Sequence, residues 1–338
     1  MAGKLVGMRE RPPARRRPST LAAMDALAAL LTGPRARGAF LLRSVFDPPW
    51  SLRIEDRAPL TVLTTVRGDG WIVPDDGAPV PLRTGDLAIV RGPEPYTVAD
   101  RPETAPQVVI HPGQVSTTVG GERLCETLDQ GVRTWGTARD AATVLLSGSY
   151  ALHGEVGGRL LRALPQVLRL PAEEWSSPLP ALLEAEIGRD EPGQEVVLDR
   201  LLDLLLISAL RCWFSRDARH APAWHRAHSD AVVGRALGLL HGDPARAWTV
   251  HDLAAETGVS RAALARRFTD LVGEPPMAYL TEWRLAQAAD LLAEPDATLA
   301  AVARRVGYGS GFALSAAFKR VRGLSPQQFR DRAAAAAG

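Results

Sequence analysis

Thr249-Val250-His251-Asp252-Leu253-Ala254-Ala255-Glu256-Thr257-Gly258-Val259-Ser260, continued from Arg261 to Gly273, is a helical pattern that the chain writes a second time between Thr298 and Gly323. Thr249 falls on Thr298, Leu253 on Val302, Ala254 on Ala303 and Gly258 on Gly307. After one additional turn residue, Gly309, Ser260 falls on Ser310, Leu264 on Leu314, Phe268 on Phe318 and Gly273 on Gly323. Each copy reads as a cap, a short helix, a glycine turn, a second cap, a second helix and a glycine stop. That order is a helix-turn-helix. The small Ala254 or Ala303 lets the two helices cross closely, the glycine supplies a positive backbone angle, and the Leu and Phe pin the second helix to a core.

Between the copies, Pro275-Pro276-Met277 starts a helix at a preset proline angle. The apolar spacing of Tyr279, Leu280, Trp283, Leu285, Ala288, Leu291 and Leu292 carries it to about Ala293. At 1.5 Å per residue the connector is roughly 27 Å long. That is close to the ~34 Å of one DNA turn once the flanking motifs add their width, so two recognition helices could enter successive major grooves on one face of a duplex.

These residues resemble the DNA-binding domain of the AraC/XylS family of bacterial transcription regulators. The match takes in both motifs, Trp283-Arg284-Leu285 in the connector, and the closing Gly307-Tyr308, Phe318-Lys319-Arg320, Gly323-Leu324-Ser325-Pro326 and Arg330. The resemblance implies promoter or operator DNA as the partner, with RNA polymerase as a further one. In the first copy Arg261, Ala262, Ala265 and Arg266 face outward, and Ala262, Ala265 and Arg266 match the family's base-contacting positions. Arg266 is the candidate for direct readout, because a guanidinium makes a bidentate pair to guanine. Arg267 could equally grip a phosphate, and Ser260 primarily caps. The second recognition helix, with Gly311 and Phe312 in its first turn, has only Ala316 where many relatives carry a larger polar or basic residue. This half is therefore expected to anchor the DNA backbone through Ser310, Ser315, Lys319 and Arg320.

A length of 338 residues allows two domains with connections, and 46% hydrophobic with 23% charged residues is an ordinary globular balance. The net charge of +2 does not announce a nucleic-acid partner by itself; the placement of Arg261, Arg266 and Arg267, and of Lys319, Arg320 and Arg322, is more telling. No run reaches the length of a membrane span, and Leu21 to Leu31 lacks a convincing cleavage site, so a cytoplasmic protein is expected. Residues 1–20, with Arg9, Arg11, Arg15, Arg16 and Arg17 among prolines, are expected to form a disordered basic leader, with Met24 an alternative natural start. Cys125 and Cys212 are the only cysteines, so no disulfide framework or zinc finger can be built; a redox pair is the alternative to two small apolar residues.

From Ala39 to His111 short β-rich runs are broken by turn residues: 39–45, 51–54, 60–66, 70–73, 80–82, 87–90, 96–98 and 107–110. Close, even spacing suggests a small barrel or jelly roll. Pro81-Leu82-Arg83-Thr84-Gly85-Asp86-Leu87-Ala88-Ile89-Val90, followed by Gly92-Pro93-Glu94-Pro95-Tyr96, resembles the second half-motif of a cupin, in keeping with the cupin-type sensor at the front of many AraC-family regulators. Where that motif usually carries His stands Tyr96, and 62–71 has no His. With only His111 and His153 before residue 220, a three-His metal site cannot be assembled. No metal, cofactor or catalytic residue is expected. Trp50, Trp71, Tyr96 and Arg53 are the candidate lining of a small-molecule pocket, against the alternative that the aromatics are core and Arg53 is solvated.

Residues 112–140 read as a long loop or flap, and 142–151 as a strand pair bent at Ser147-Gly148-Ser149. From Leu160 the chain turns helical, with a short segment to Leu168, an amphipathic helix over 179–187 and a long one over 196–214 that is apolar on most of its circumference. Such a helix must be buried against the domain or a partner, and the resemblance implies dimerisation. His220, His225 and His228 read as linker and helix-end residues rather than as a metal set. The expected organisation is α+β: a cupin-like effector domain over 24–158, a helical dimerisation region over 159–216, a linker over 217–227 and an all-α double helix-turn-helix domain over 228–335. A metal-dependent cupin enzyme and an architectural DNA binder without effector are the rival readings.

Overall fold

A computed structural model describes residues 40–337 apart from 125–126, 139, 151–153, 217–222 and 295. The basic leader, the alternative start at Met24, Cys125, His153, His220 and most of the expected linker lie outside the described residues.

Eight strands stand where the β-rich runs predict them: β1 (Phe40–Phe46), β2 (Ser51–Ile54), β3 (Leu60–Arg67), β4 (Gly70–Pro74), β5 (Val80–Leu82), β6 (Leu87–Arg91), β7 (Tyr96–Ala99) and β8 (Val108–His111). They are joined by β9 (Val115–Thr118), β10 (Asp129–Gly131), β11 (Thr134–Gly136), β12 (Thr143–Tyr150) and β13 (Val167–Leu170). Two sheets result, one of order β10-β11-β1-β12-β3-β6-β13 and one of order β5-β4-β7-β2-β8-β9. Phe46, Trp50, Leu63, Ile72, Tyr96, Val98 and Leu145 fill the space between them.

Three expectations are corrected here. The stretch 112–140 is not simply a loop: it supplies β9 beside β8, β11 beside β1, and β10 on the outer edge of β11. The register of β11 depends on Gly136, where a Cβ would stand 1.9 Å from the Val45 carbonyl oxygen. Residues 142–151 make one strand, not a bent pair, because β12 is hydrogen-bonded along its length to both β1 and β3. The glycine read as a bend is instead an approach point: a Cβ on Gly148 would lie 2.7 Å from the Leu202 side chain. Finally, Val167–Leu170 is no helix but an edge strand on β6, so the sheet continues past residue 158.

After the barrel come α1 (Glu155–Arg162), α2 (Leu179–Ile187) and α3 (Gln194–Arg216). Leu198, Leu202, Leu205, Leu206, Ala209, Leu210 and Phe214 of α3 are buried, in a cluster with Leu60, Val62, Leu146 and Tyr150 on the outer face of the seven-stranded sheet. Tyr150 donates its hydroxyl to the Leu202 carbonyl at 2.6 Å. The interior strand β3 is thus covered on both faces, which explains why its first six residues are buried in unbroken succession, Thr61, Thr64 and Thr65 among them.

The C-terminal part is helical: α4 (Ala223–His228), α5 (Val233–Gly242), α6 (Val250–Thr257), α7 (Arg261–Val272), α8 (Pro276–Leu292), α9 (Leu299–Arg305), α10 (Gly311–Arg322) and α11 (Pro326–Ala337). Each written copy owns a core. Leu253, Ala254, Leu264 and Phe268 pack with α5, Tyr279 and Leu280. Val302, Ala303, Leu314 and Phe318 pack with Leu285, Ala288, Ala289 and Leu292. The connector α8 is therefore a wall common to both copies. Among the described residues no helix is long and apolar enough to cross a membrane.

Candidate nucleic-acid interface

The caps that delimit the two motifs form as the residue types require. Thr249 Oγ1 accepts the Asp252 N–H while the Asp252 carboxylate accepts the Thr249 N–H, each at 3.1 Å. Thr298 accepts the Ala301 N–H at 3.2 Å, Ser260 the Ala263 N–H at 3.2 Å, and Ser310 the Ala313 N–H at 3.1 Å. Replacing any of these by Ala costs about 1 kcal/mol. Gly258 and Gly307 take the left-handed conformation (φ 74° and 83°). Gly307 is constrained further, since a Cβ there would meet the Ala245 carbonyl oxygen at 2.5 Å.

With Leu264 and Phe268 buried, α7 turns Arg261, Ala262, Arg266 and Arg267 to the exterior and leaves Ala265 half-buried. The cations are not equivalent. Arg267 donates to the Asp230 carboxylate from Nε at 2.9 Å and from Nη2 at 2.6 Å. Asp230 also accepts the Val232 and Val233 N–H groups at 3.0 and 2.9 Å. Burial alone raises its pKa, but the Val233 N–H, Arg267 and the Val232 N–H together hold the carboxyl below its ordinary range. Arg267 is thus tied to its own fold.

On α10, Leu314, Ala317 and Phe318 are buried while Phe312, Ala313, Ala316, Lys319 and Arg320 are exposed; Gly311 and Ser315 are half-buried. Arg322, the last residue of this helix, lies 3.2 Å from Glu155 on α1 and 3.7 Å from Glu282 on α8. Arg284 donates to the carbonyls of Pro244 and Arg246, each at 2.7 Å, and so fastens the loop before the first motif to the connector. The pair His241–Tyr279, 2.7 Å apart and buried, closes the first core. Asp230, Asp290, Arg322 and His241 were not foreseeable as partners, because each contact joins elements far apart in sequence.

In the barrel a cavity of about 60 Å³ lies between the sheets. Of the four expected lining residues it includes Tyr96 alone. Trp50 is 1% exposed and stacked on Phe46 in the core. Arg53 is held by Glu55 and Asp75, and Trp71 does not border the space. The aromatic that borders it with Tyr96 is Trp135, from the stretch read as a loop. Ser44, Thr61, Ser147 and Ser149 add hydroxyls, Asp56 and Gln114 close one side 3.0 Å apart, and among the described residues no Lys or Arg borders it. Burial raises the Tyr96 phenol well above its ordinary value, keeping it a neutral donor. Among the described residues no group of His, Cys, Asp or Glu is placed to hold a metal ion.

A two-sheet barrel followed by two capped helix-turn-helix units on a common connector defines a two-domain, DNA-binding class of transcription regulator. Comparison with known proteins agrees in both halves: residues 25–215 match a cupin family model and residues 253–332 a helix-turn-helix domain model. A Streptomyces lividans protein described as an AraC-like transcription regulator is 33% identical over 317 residues, 91% of this chain and 98% of the relative. The regulator AlkR of Acinetobacter baylyi is 24% identical over 91% of this chain and 100% of its own. A solved DNA-binding domain of AdpA, described in complex with a target DNA, is 33% identical over 31% of this chain and 93% of that one, with a TM-score of 0.29. The chain belongs to the AraC-like transcription regulators.

Proposed function

We propose that this regulator reads promoter or operator DNA as a homodimer, through α7 and α10 of each subunit, under the control of a small uncharged molecule held in the barrel. The observation that carries the reading is the pair of solvated helix faces, Arg261/Ala262/Arg266 and Phe312/Ala316/Lys319/Arg320, raised on one connector whose two ends lie in the two motif cores. Ser260, Ala265, Ser310, Gly311 and Ser315 complete the surface, with Arg266 as base reader and Ser310, Ser315, Lys319 and Arg320 toward phosphate. Arg267 instead ties α7 to Asp230 at the surface of the domain.

The ligand class follows from the lining. A cavity edged by hydroxyls, one carboxylate and no cation suits a neutral, largely apolar molecule and repels a carboxylate or phosphate. The protein acts as a regulator, not an enzyme. A physical route from cavity to reader supports the control: Leu145, Ser147 and Ser149 border the cavity on β12, and α1, the next described element, is held by Asp290 and Arg322 of the reader. A ligand that favours one arrangement of this contact over another shifts operator affinity by its differential binding. Val197 and Leu204, exposed seven residues apart on α3, offer the dimer face.

Selecting bound genomic fragments, then following operator affinity at fixed salt while candidate metabolites are titrated, tests the reading. Sequence-selective binding that shifts with a barrel ligand supports it. Equal binding to all sequences makes the protein an architectural DNA binder, and unchanged affinity across every ligand that binds removes the switch.

A further inference from the structure

Phe312 is 85% exposed, more than any other large apolar side chain among the described residues. It is not at a frayed end or on a loop. It sits in the first turn of α10, behind a cap made by Ser310 and in front of Leu314, which is fully buried. On a helix, positions four and seven residues further along share its side, so Phe312, Ala316 and Lys319 form one outward stripe. That stripe begins with a ring, continues with a methyl group and ends with a cation.

The register between the two copies makes the placement informative. Phe312 stands where the first copy has Ala262, and Ala316 where it has Arg266. The reading positions of the two helices therefore carry opposite chemistry. One presents a small residue and then a five-donor guanidinium; the other presents a large ring with no donor or acceptor and then a residue too short to reach a base edge. A phenyl ring makes no hydrogen bond to a base edge, and the apolar group that base edges offer it in the major groove is the C5-methyl of thymine. Lys319 and Arg320, exposed one to two turns further on, supply the charge that holds such a helix against phosphates.

We infer that Phe312 is a specificity-determining residue that packs against thymine methyl groups in the second major-groove site, so that the two helices read different base chemistries: guanine by Arg266, thymine by Phe312. The inference rests on the DNA-reading assignment above. It makes the second helix a reader as well as an anchor.

The test uses the full-length protein and a selected operator in which thymines of the second half-site are replaced one at a time by deoxyuridine, which removes only the methyl group. At one or two adjacent positions the wild-type protein is expected to lose roughly threefold to tenfold in affinity. Phe312→Ala, with an intact fold because its side chain is solvent-exposed, loses a comparable factor on the thymine duplex and is indifferent to uracil at those positions. Phe312→Leu retains part of the discrimination. The slope of affinity against salt stays at the wild-type value in Phe312→Ala and falls by about one in Lys319→Ala. If wild type and Phe312→Ala respond identically to uracil at every position, or if Phe312→Ala binds as wild type does, Phe312 faces another protein or nothing and the inference is overturned. Loss of discrimination in Arg266→Ala under those same conditions shows that the underlying reading survives. Failure of wild type to prefer operator over scrambled DNA overturns both.

Discussion

Asp290, on the connector of the helix-turn-helix domain, caps the first turn of the helix that follows the barrel, accepting the Glu155 N–H at 2.5 Å and the Val156 N–H at 3.2 Å. The fit is close. Gly154 precedes that turn with φ 98°, and a Cβ there would stand 2.3 Å from the Asp290 carboxylate. Arg322, at the end of α10, meets Glu155, while Arg159 meets Glu282 at 3.6 Å. The helix that follows the barrel is thus fixed by a carboxylate and an arginine of the helix-turn-helix domain.

Asp290→Ala is expected to lower stability by about 1 kcal/mol, as losing an N-cap does, and Asp290→Asn to retain most of it. Its sharper consequence is functional: the barrel ligand still binds, by calorimetric titration, but operator affinity no longer responds to it. A variant that responds like the wild type locates the coupling elsewhere.

Arg266 and Arg267 are neighbours with separate effects. Arg266→Ala should cost ~1–3 kcal/mol of operator binding and relax the preference at one base pair. Arg267→Ala, which removes the partner of Asp230, should lower the melting temperature and leave base preference unchanged. Selection of bound oligonucleotides alongside thermal unfolding separates the two, and an altered preference in Arg267→Ala would return that residue to the interface.

Acid stability carries the signature of the same pair. Because the Asp230 carboxyl is held below its ordinary value in the folded chain, the unfolded chain binds more protons between the two pKa values, and stability rises with pH there. Its contribution is fully present above the unfolded value of about 3.9 and disappears as pH falls through the lower folded one. Asp230→Asn, measured by urea midpoints from pH 5 to pH 3, should lose less stability than the wild type over that interval. An equal loss would mean that the pair contributes nothing.

Filling the barrel should silence the switch. Ser147→Leu places three additional carbons into a cavity of about 60 Å³. Ligand binding by titration should vanish, and operator affinity should no longer change when ligand is added. Retained ligand binding would put the effector outside this cavity.

Charging the exposed face of α3 tests the assembly. Val197→Glu with Leu204→Glu changes that helix only at its surface, Val197 being 44% and Leu204 52% exposed. Sedimentation should then report a monomer with an unchanged circular dichroism spectrum. A dimer that persists assigns that face to solvent.

Much of this was legible before any coordinates. The paired caps and glycines around Thr249, Ser260, Thr298 and Ser310 are local devices, and each acts within four residues of itself, so pattern and structure agree on them. Strands β1 to β8 were readable for the same reason. What escaped was non-local. Nothing in Thr134-Trp135-Gly136 announces a strand until β1 offers it an edge, and so Trp135 was missed as a cavity wall while Trp50, an equally aromatic neighbour of the same sheets, proved to be core. Gly148 looks like a bend unless Leu202, 54 positions later, is known to pack on it. Asp290 and Arg322 carry no motif at all; only the approach of α1 gives them partners.

The central claim is that one subunit places two helices of different chemistry along one duplex, and base-resolved interference footprinting of a selected operator tests it most directly. The expected result is two patches about one helical turn apart on one face of the DNA, the first losing its base preference in Arg266→Ala and the second in Phe312→Ala. A single patch, or two patches that both ignore these substitutions, would contradict it.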